Sequence, residues 1–256
     1  MTLSRIENNT LGVSPSTFKA LMARAGMSCD IFPCFSDMND FDCYLLLHNA
    51  RYYLSVGQVK KTVEELQKVK ELHFANDKFY YQEWLYLNCK LQLYFENVNH
   101  KKIFGILIQT FQISNVYDLE SLFNDRYFTS LEIEILTLIA AENLMLKKQT
   151  DCAIICKNLI TYIKAMHFPE KEKNCYLADI YIVYIQYLIE TKEYQNALKL
   201  SNEWRHKMVL QSENALLMPL TMYVALCNYY LKNFEEARAL FDTVFYSTHA
   251  IGVNAP

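Results

Sequence analysis

Residues 226–241 read Leu226-Cys-Asn-Tyr-Tyr-Leu-Lys-Asn-Phe-Glu-Glu-Ala-Arg-Ala-Leu-Phe241, and this stretch decides the fold. One helix closes on Tyr229, Tyr230 and Leu231, and Lys232-Asn233 supplies a turn. The next helix then sets Phe234, Ala237, Phe241 and Val244 on one face at helical spacing. A residue as small as Ala237 lets two helices approach closely, and Phe234 and Phe241 are expected to fill the groove between them. The unit is an antiparallel helical hairpin.

The same grammar recurs upstream. Tyr187 to Tyr194 leads into Ala197, with Leu200 and Trp204 on its face, and Asn143 to Thr150 leads into Ala153, Cys156, Leu159 and Ile160. Leu91 to His100 leads into Ile103 and Leu107, and Tyr52 to Val59 leads into Thr62, Val63, Leu66 and Val69. With the small or central residue of each second helix as a ruler, the units sit at 62, 103, 153, 197 and 237, in steps of 41, 50, 44 and 40. The pattern resembles tetratricopeptide repeats, whose standard period is about 34, with longer helices or connections. The expected fold is all-α, a right-handed tetratricopeptide-like array of about five helix pairs over 38–248, with a tail over 249–256. An irregular α-bundle whose apolar periodicity imitates a repeat is the competing reading.

Composition agrees. Hydrophobic residues make up 52% of the 256 and charged residues 21%, which marks a folded chain and not a disordered one. Only 5 Gly and 5 Pro are present, too few for a sheet protein rich in turns. The 19 Tyr and 15 Phe suit thick helix–helix seams. A formal net charge of −3 gives no global attraction to nucleic acid or an anionic membrane. No apolar run reaches about 18 residues and no signal-peptide order opens the chain, so a cytoplasmic location is expected. The 8 cysteines then read as reduced thiols, with Cys89, Cys156, Cys175 and Cys227 among apolar neighbours. Cys152 and Cys156 lack the second ligand pair that a structural zinc site uses, so no metal is expected.

The first residues are a different object. Leu3 to Asn8 reads as a short helix ended by Asn8-Asn9; Ser14 is an N-cap, Pro15 a first helical residue, and Phe18, Leu21 and Met22 share a face before Gly26. This order resembles the second half of a repressor-type (Cro/Xre) helix-turn-helix domain over 1–27, joined by a linker over 28–37 to the repeats. Together the two parts resemble the Rgg–PlcR–PrgX group of peptide-pheromone receptors, including MutR- and ComR-like transcription regulators. The resemblance implies that Leu3–Asn8 is a recognition helix turning Ser4, Arg5 and Asn8 to DNA. A complete domain of that kind has two helices ahead of the recognition helix, so DNA is expected as a partner only with those helices present. The resemblance also implies a short peptide ligand and a homodimer.

In a stacked array the first helix of each pair lines the concave side. Asn and Gln suit an extended peptide there, because each amide offers a donor and an acceptor to backbone groups. The first helices carry Asn49, Asn88, Asn143, Gln186 and Asn228, with Tyr52, Tyr86, Tyr184 and Tyr223 nearby as walls for apolar side chains. Some of these amides face solvent or cap turns in the competing reading. Phe241, Phe245 and Tyr246 have no following repeat to cover them, so either a dimer seam or the ten-residue tail from Ser247 to Pro256 is expected to do so.

No feature points to catalysis or a cofactor. The glycines are scattered, the six histidines form no H-E-x-x-H pair, and no Gly-x-Ser-x-Gly elbow exists. Glu64-Glu65, Glu132/Glu134 and Glu235-Glu236 read as solvated helix faces. The two functional readings are a peptide-responsive transcription regulator and a stand-alone adaptor that binds a protein partner.

Overall fold

A computed structural model describes residues 38–72, 77–124, 127–210 and 214–250. The expected helix-turn-helix segment, the linker, Ser4, Arg5, Asn8 and the residues after Ala250 lie outside the described residues. Ten helices follow, with no strand among the described residues: α1 Met38–Ser55, α2 Val59–Glu71, α3 Lys78–Gln92, α4 His100–Gln112, α5 Ser130–Met145, α6 Gln149–Ala165, α7 Glu170–Glu190, α8 Tyr194–Leu210, α9 Asn214–Tyr230 and α10 Phe234–Ala250. In chain order they read as five successive helix–turn–helix pairs. The chain gathers into two compact units, one holding residues 38–146 and 165–170, the other residues 147–164 and 171–250.

Backbone chemistry at the turns explains the pairing. Gly57, Lys147, Lys192 and Lys232 all adopt left-handed φ values, between 60° and 72°. Each sits between the first and second helix of its pair. In three of the four turns the surrounding bonds are those of a Schellman cap: Glu193 N–H donates to the Leu188 carbonyl at 2.7 Å and Lys192 N–H to that of Ile189 at 3.0 Å. Asn233 and Lys232 repeat this on Asn228 and Tyr229, and Gln58 and Gly57 on Tyr53 and Leu54.

The residues used as a ruler are all buried: Thr62, Ile103, Ala153, Ala197 and Ala237. Four of them donate their N–H to the residue that opens the second helix, as Ala197 does to Glu193 at 3.0 Å. In the third pair that bond belongs to Cys152, donating to Lys148 at 3.1 Å, so the ruler there runs one residue late. Cys152 is small too and even more buried than Ala153, and the sequence alone could not separate them. Two packing expectations also need correction. Val63 and Phe234 are exposed, and the seam of α8 is built from Ala197, Ser201, Trp204 and Met208, not Leu200. Phe234 meets Tyr229 edge to face, with ring centroids 5.7 Å apart.

The long second step has a specific cause. The connection after α4 runs to Thr129, and a buried polar knot holds it. Thr129 accepts from Glu132 N–H at 3.2 Å while the Glu132 carboxylate accepts from Thr129 N–H at 2.6 Å, a capping box. The same fully buried carboxylate takes Ser114 Oγ and Asn115 Nδ2, each at 2.6 Å. Gln82 Nε2 adds bonds to the Thr110 carbonyl and Ser114 Oγ. Glu132 is therefore not on a solvated face, and neither is Glu65, which is buried beside Lys68. A carboxylate survives such burial only because donors surround it.

Each unit owns one tryptophan. In the first, Trp84 Nε1 donates to the Leu66 carbonyl at 2.9 Å and the ring stacks with Tyr81. In the second, Trp204 is buried against Tyr181, centroids 4.7 Å apart, with Lys207 Nζ over its ring 4.5 Å from the centroid.

Candidate functional site

The first helices of the first unit, α1, α3 and α5, present their functional groups together. Arg51 stands at the centre. Its Nε and Nη2 donate to Glu83 Oε1 at 3.2 and 3.0 Å, and its Nη1 donates to both oxygens of Glu134 at 2.9 and 2.7 Å. The side chains are 36% exposed for Arg51, 15% for Glu83 and 21% for Glu134. The guanidinium pKa is raised; burial opposes its charge, and the Glu134 and Glu83 carboxylates together outweigh that. Tyr86 lies between two cations, its ring centroid 5.9 Å from Arg51 Cζ and 5.5 Å from Lys90 Nζ.

The same three helices carry the first three amides the sequence singled out. Asn49 is half-buried on α1, and Tyr52 is exposed. Asn88 is half-buried on α3 and returns its Nδ2 to the Trp84 carbonyl at 2.8 Å. Asn143 is only 1% exposed, with neither Nδ2 nor Oδ1 bonded. It does not stand on an open face. Beside it, buried Glu142 pairs with His100 Nδ1 at 2.9 Å, and burial still raises its pKa against that partner. Cys89 is pushed up to about 12 by burial and then by Glu142, so it is a thiol and not a nucleophile.

In the second unit, Gln186 on α7 donates to the Tyr223 hydroxyl on α9. Burial raises Tyr223, while that hydrogen bond works against the rise. Tyr184 stacks on Tyr187 at 5.7 Å and 11°. It also lines an open cleft of about 310 Å³ with Leu188, Glu193, Asn196 and Leu200. Burial is the first cause of its raised pKa. Asn228 is 2% exposed and accepts from Asn233 Nδ2 at 3.1 Å, so it braces the turn. The expected five-rung ladder thus reduces to three accessible amides, Asn49, Asn88 and Gln186. Asn143 and Asn228 are instead buried, at 1% and 2% exposure. At the end of α10, Phe241 is half-buried, while Phe245 and Tyr246 are exposed and meet edge to face.

The Arg51 bridge is absent from the sequence reading. Its members lie 32 and 83 residues apart, so no local spacing could announce them. Among the described residues no group of three or more His, Cys, Asp or Glu side chains could hold a metal ion, and no helix is long and apolar enough to cross a membrane.

No family model matches the chain, and no curated protein matches it. Two solved structures are similar. One is PlcR of Bacillus thuringiensis in complex with the peptide PapR7 and DNA, at 13% identity and a TM-score of 0.60, covering 99% of this chain and 89% of that one. The other is a set of nearly identical TPR-like repeats from a putative kinesin light chain of Podosopora anserina, at 15% identity and a TM-score of 0.44, covering 82% of this chain and 96% of that one. The likeness to PlcR is one of fold.

Proposed function

We propose that the chain is a peptide-responsive transcription regulator whose first-helix faces bind a short extended segment. The observation that carries this reading is that each unit presents accessible amides and tyrosines on its first helices, Asn49, Asn88 and Tyr52 in the first and Gln186 and Tyr184 in the second. Side-chain amides can pair with both backbone groups of a peptide, and tyrosines can cover its apolar side chains. PlcR, which shares the fold, was seen with a peptide and DNA. Binding would act by shifting the balance between two arrangements of the helix pairs, without catalysis.

The test is selection of a random heptapeptide display library on the full chain, followed by titration of the enriched peptides. Enrichment is expected, and Asn88→Ala or Gln186→Ala should weaken the selected peptides about tenfold, the loss of one or two hydrogen bonds. Unchanged affinity in both variants would count against the site. A parallel selection of random DNA duplexes on the full chain tests the regulator half.

A stand-alone adaptor is the second reading, and one observation favours it. Exposed Tyr229, Tyr230 and Phe234 sit at the turn of the last pair, and Tyr230 stacks on Tyr194 at 4.6 Å. An aromatic cluster so placed suits a protein surface. Peptide enrichment without DNA enrichment would move this reading to the front.

A further inference from the structure

We propose that Arg51 is a strap across the first-helix face of the first unit, released by a cationic group of the bound segment: a lysine or arginine side chain, or a free amino terminus. The inference rests on the peptide-binding reading and adds the charge of the ligand to it.

Charge count carries the argument. One guanidinium is shared by two carboxylates, and the second oxygen of Glu83 has no partner among the described residues. Lys90 is the other cation beside Tyr86, yet it makes no ion pair there. The two carboxylates, 15% and 21% exposed, therefore share a single paired cation between them. An incoming ammonium or guanidinium that pairs with Glu134 leaves Arg51 with Glu83, and each of the two carboxylates then has a cation of its own. An incoming carboxylate would instead gather three anions around one cation. The site discriminates by sign.

The two halves of the strap are unequal. α1 and α3 pack directly, so the bond to Glu83 joins adjoining helices. The bond to Glu134 reaches one helix pair further, to α5, and ends on the more exposed carboxylate. Glu134 is the half that a ligand can reach and exchange. Its release removes a direct tie between the first and third of the first helices.

Two measurements on the full chain test this, with Glu134→Gln as the isosteric variant. Hydrogen exchange by mass spectrometry, without any ligand, should show faster exchange in residues 38–55 for the variant than for the wild type. About 0.5 M NaCl should speed that segment in the wild type and have a smaller effect in the variant, which keeps only the pair with Glu83, because screening weakens ion pairs. Random heptapeptides selected on the wild type should carry Lys or Arg at about threefold their input frequency, and those selected on Glu134→Gln should not. Equal exchange in the two proteins overturns the strap. So does a Lys/Arg excess that is missing from the wild type, or one that persists in the variant. Failure of both proteins to enrich any peptide, with the helical circular dichroism intact, would instead defeat the peptide-binding reading and this inference with it.

Discussion

Arg51 is worth more to this fold for what it neutralises than for its own bonds. Removing it leaves Glu83 and Glu134 half-buried, near each other and unpaired. Arg51→Ala should therefore cost about 1–2 kcal/mol in urea unfolding, a value reduced from that of a fully buried pair because the guanidinium is partly solvated. Adding Glu83→Gln and Glu134→Gln to that variant should recover most of the loss; no recovery would mean that the packing of the Arg51 stem, and not charge, was responsible. Cys89 makes a second residue-level case. Its thiol is pushed up to about 12 in the folded chain, against about 8.5 when unfolded. The folded state then holds a proton that the unfolded state releases. This contribution to stability is complete below about pH 8.5 and is lost as pH rises toward 12, at up to about 1.4 kcal/mol per pH unit. Cys89→Ala should flatten the decline in unfolding free energy between pH 8.5 and 10.5; an unchanged slope would assign the decline to other groups.

The helical hairpin is the scale at which the sequence was most legible. Ala197 and Ala237, each preceded by a polar turn and an aromatic helix end, located the pairs because small residues and turns are local signals. The turn residues themselves were less transparent. Lysine is a poor occupant of a left-handed position, yet Lys147, Lys192 and Lys232 all hold one. Substitution of Lys192 or Lys232 by Gly should stabilise the chain by about 1 kcal/mol, since only the conformational penalty of the Cβ is removed. A rise in thermal midpoint checks this, and a fall would show that the lysine side chain makes a contribution larger than its strain. What the sequence hid were non-local partnerships. Glu132 looks like any charged residue in a helix until Ser114, Asn115 and Thr129 close around it. Asn143 and Asn228 share a residue type with Asn49 and Asn88 but not their outlook, because a single helical step turns an amide from an open face to a covered one.

At the scale of the whole molecule, the last pair poses the remaining question of assembly. Phe245 and Tyr246 on its second helix are 56% and 70% exposed, and an exposed aromatic surface suits a partner. Light scattering on a size-exclusion peak should give about twice 30.1 kDa, and Phe245→Ser with Tyr246→Ser should return the single-chain mass. A wild-type monomer at micromolar concentration would remove the homodimer from the functional picture. The two compact units also divide the chain's 2 tryptophans, Trp84 in the first and Trp204 in the second. Each unit therefore contains its own intrinsic fluorophore. Trp84→Phe leaves emission from the second unit alone and Trp204→Phe from the first alone, so the response of either half to peptide, salt or denaturant can be followed by its own light without attaching a dye.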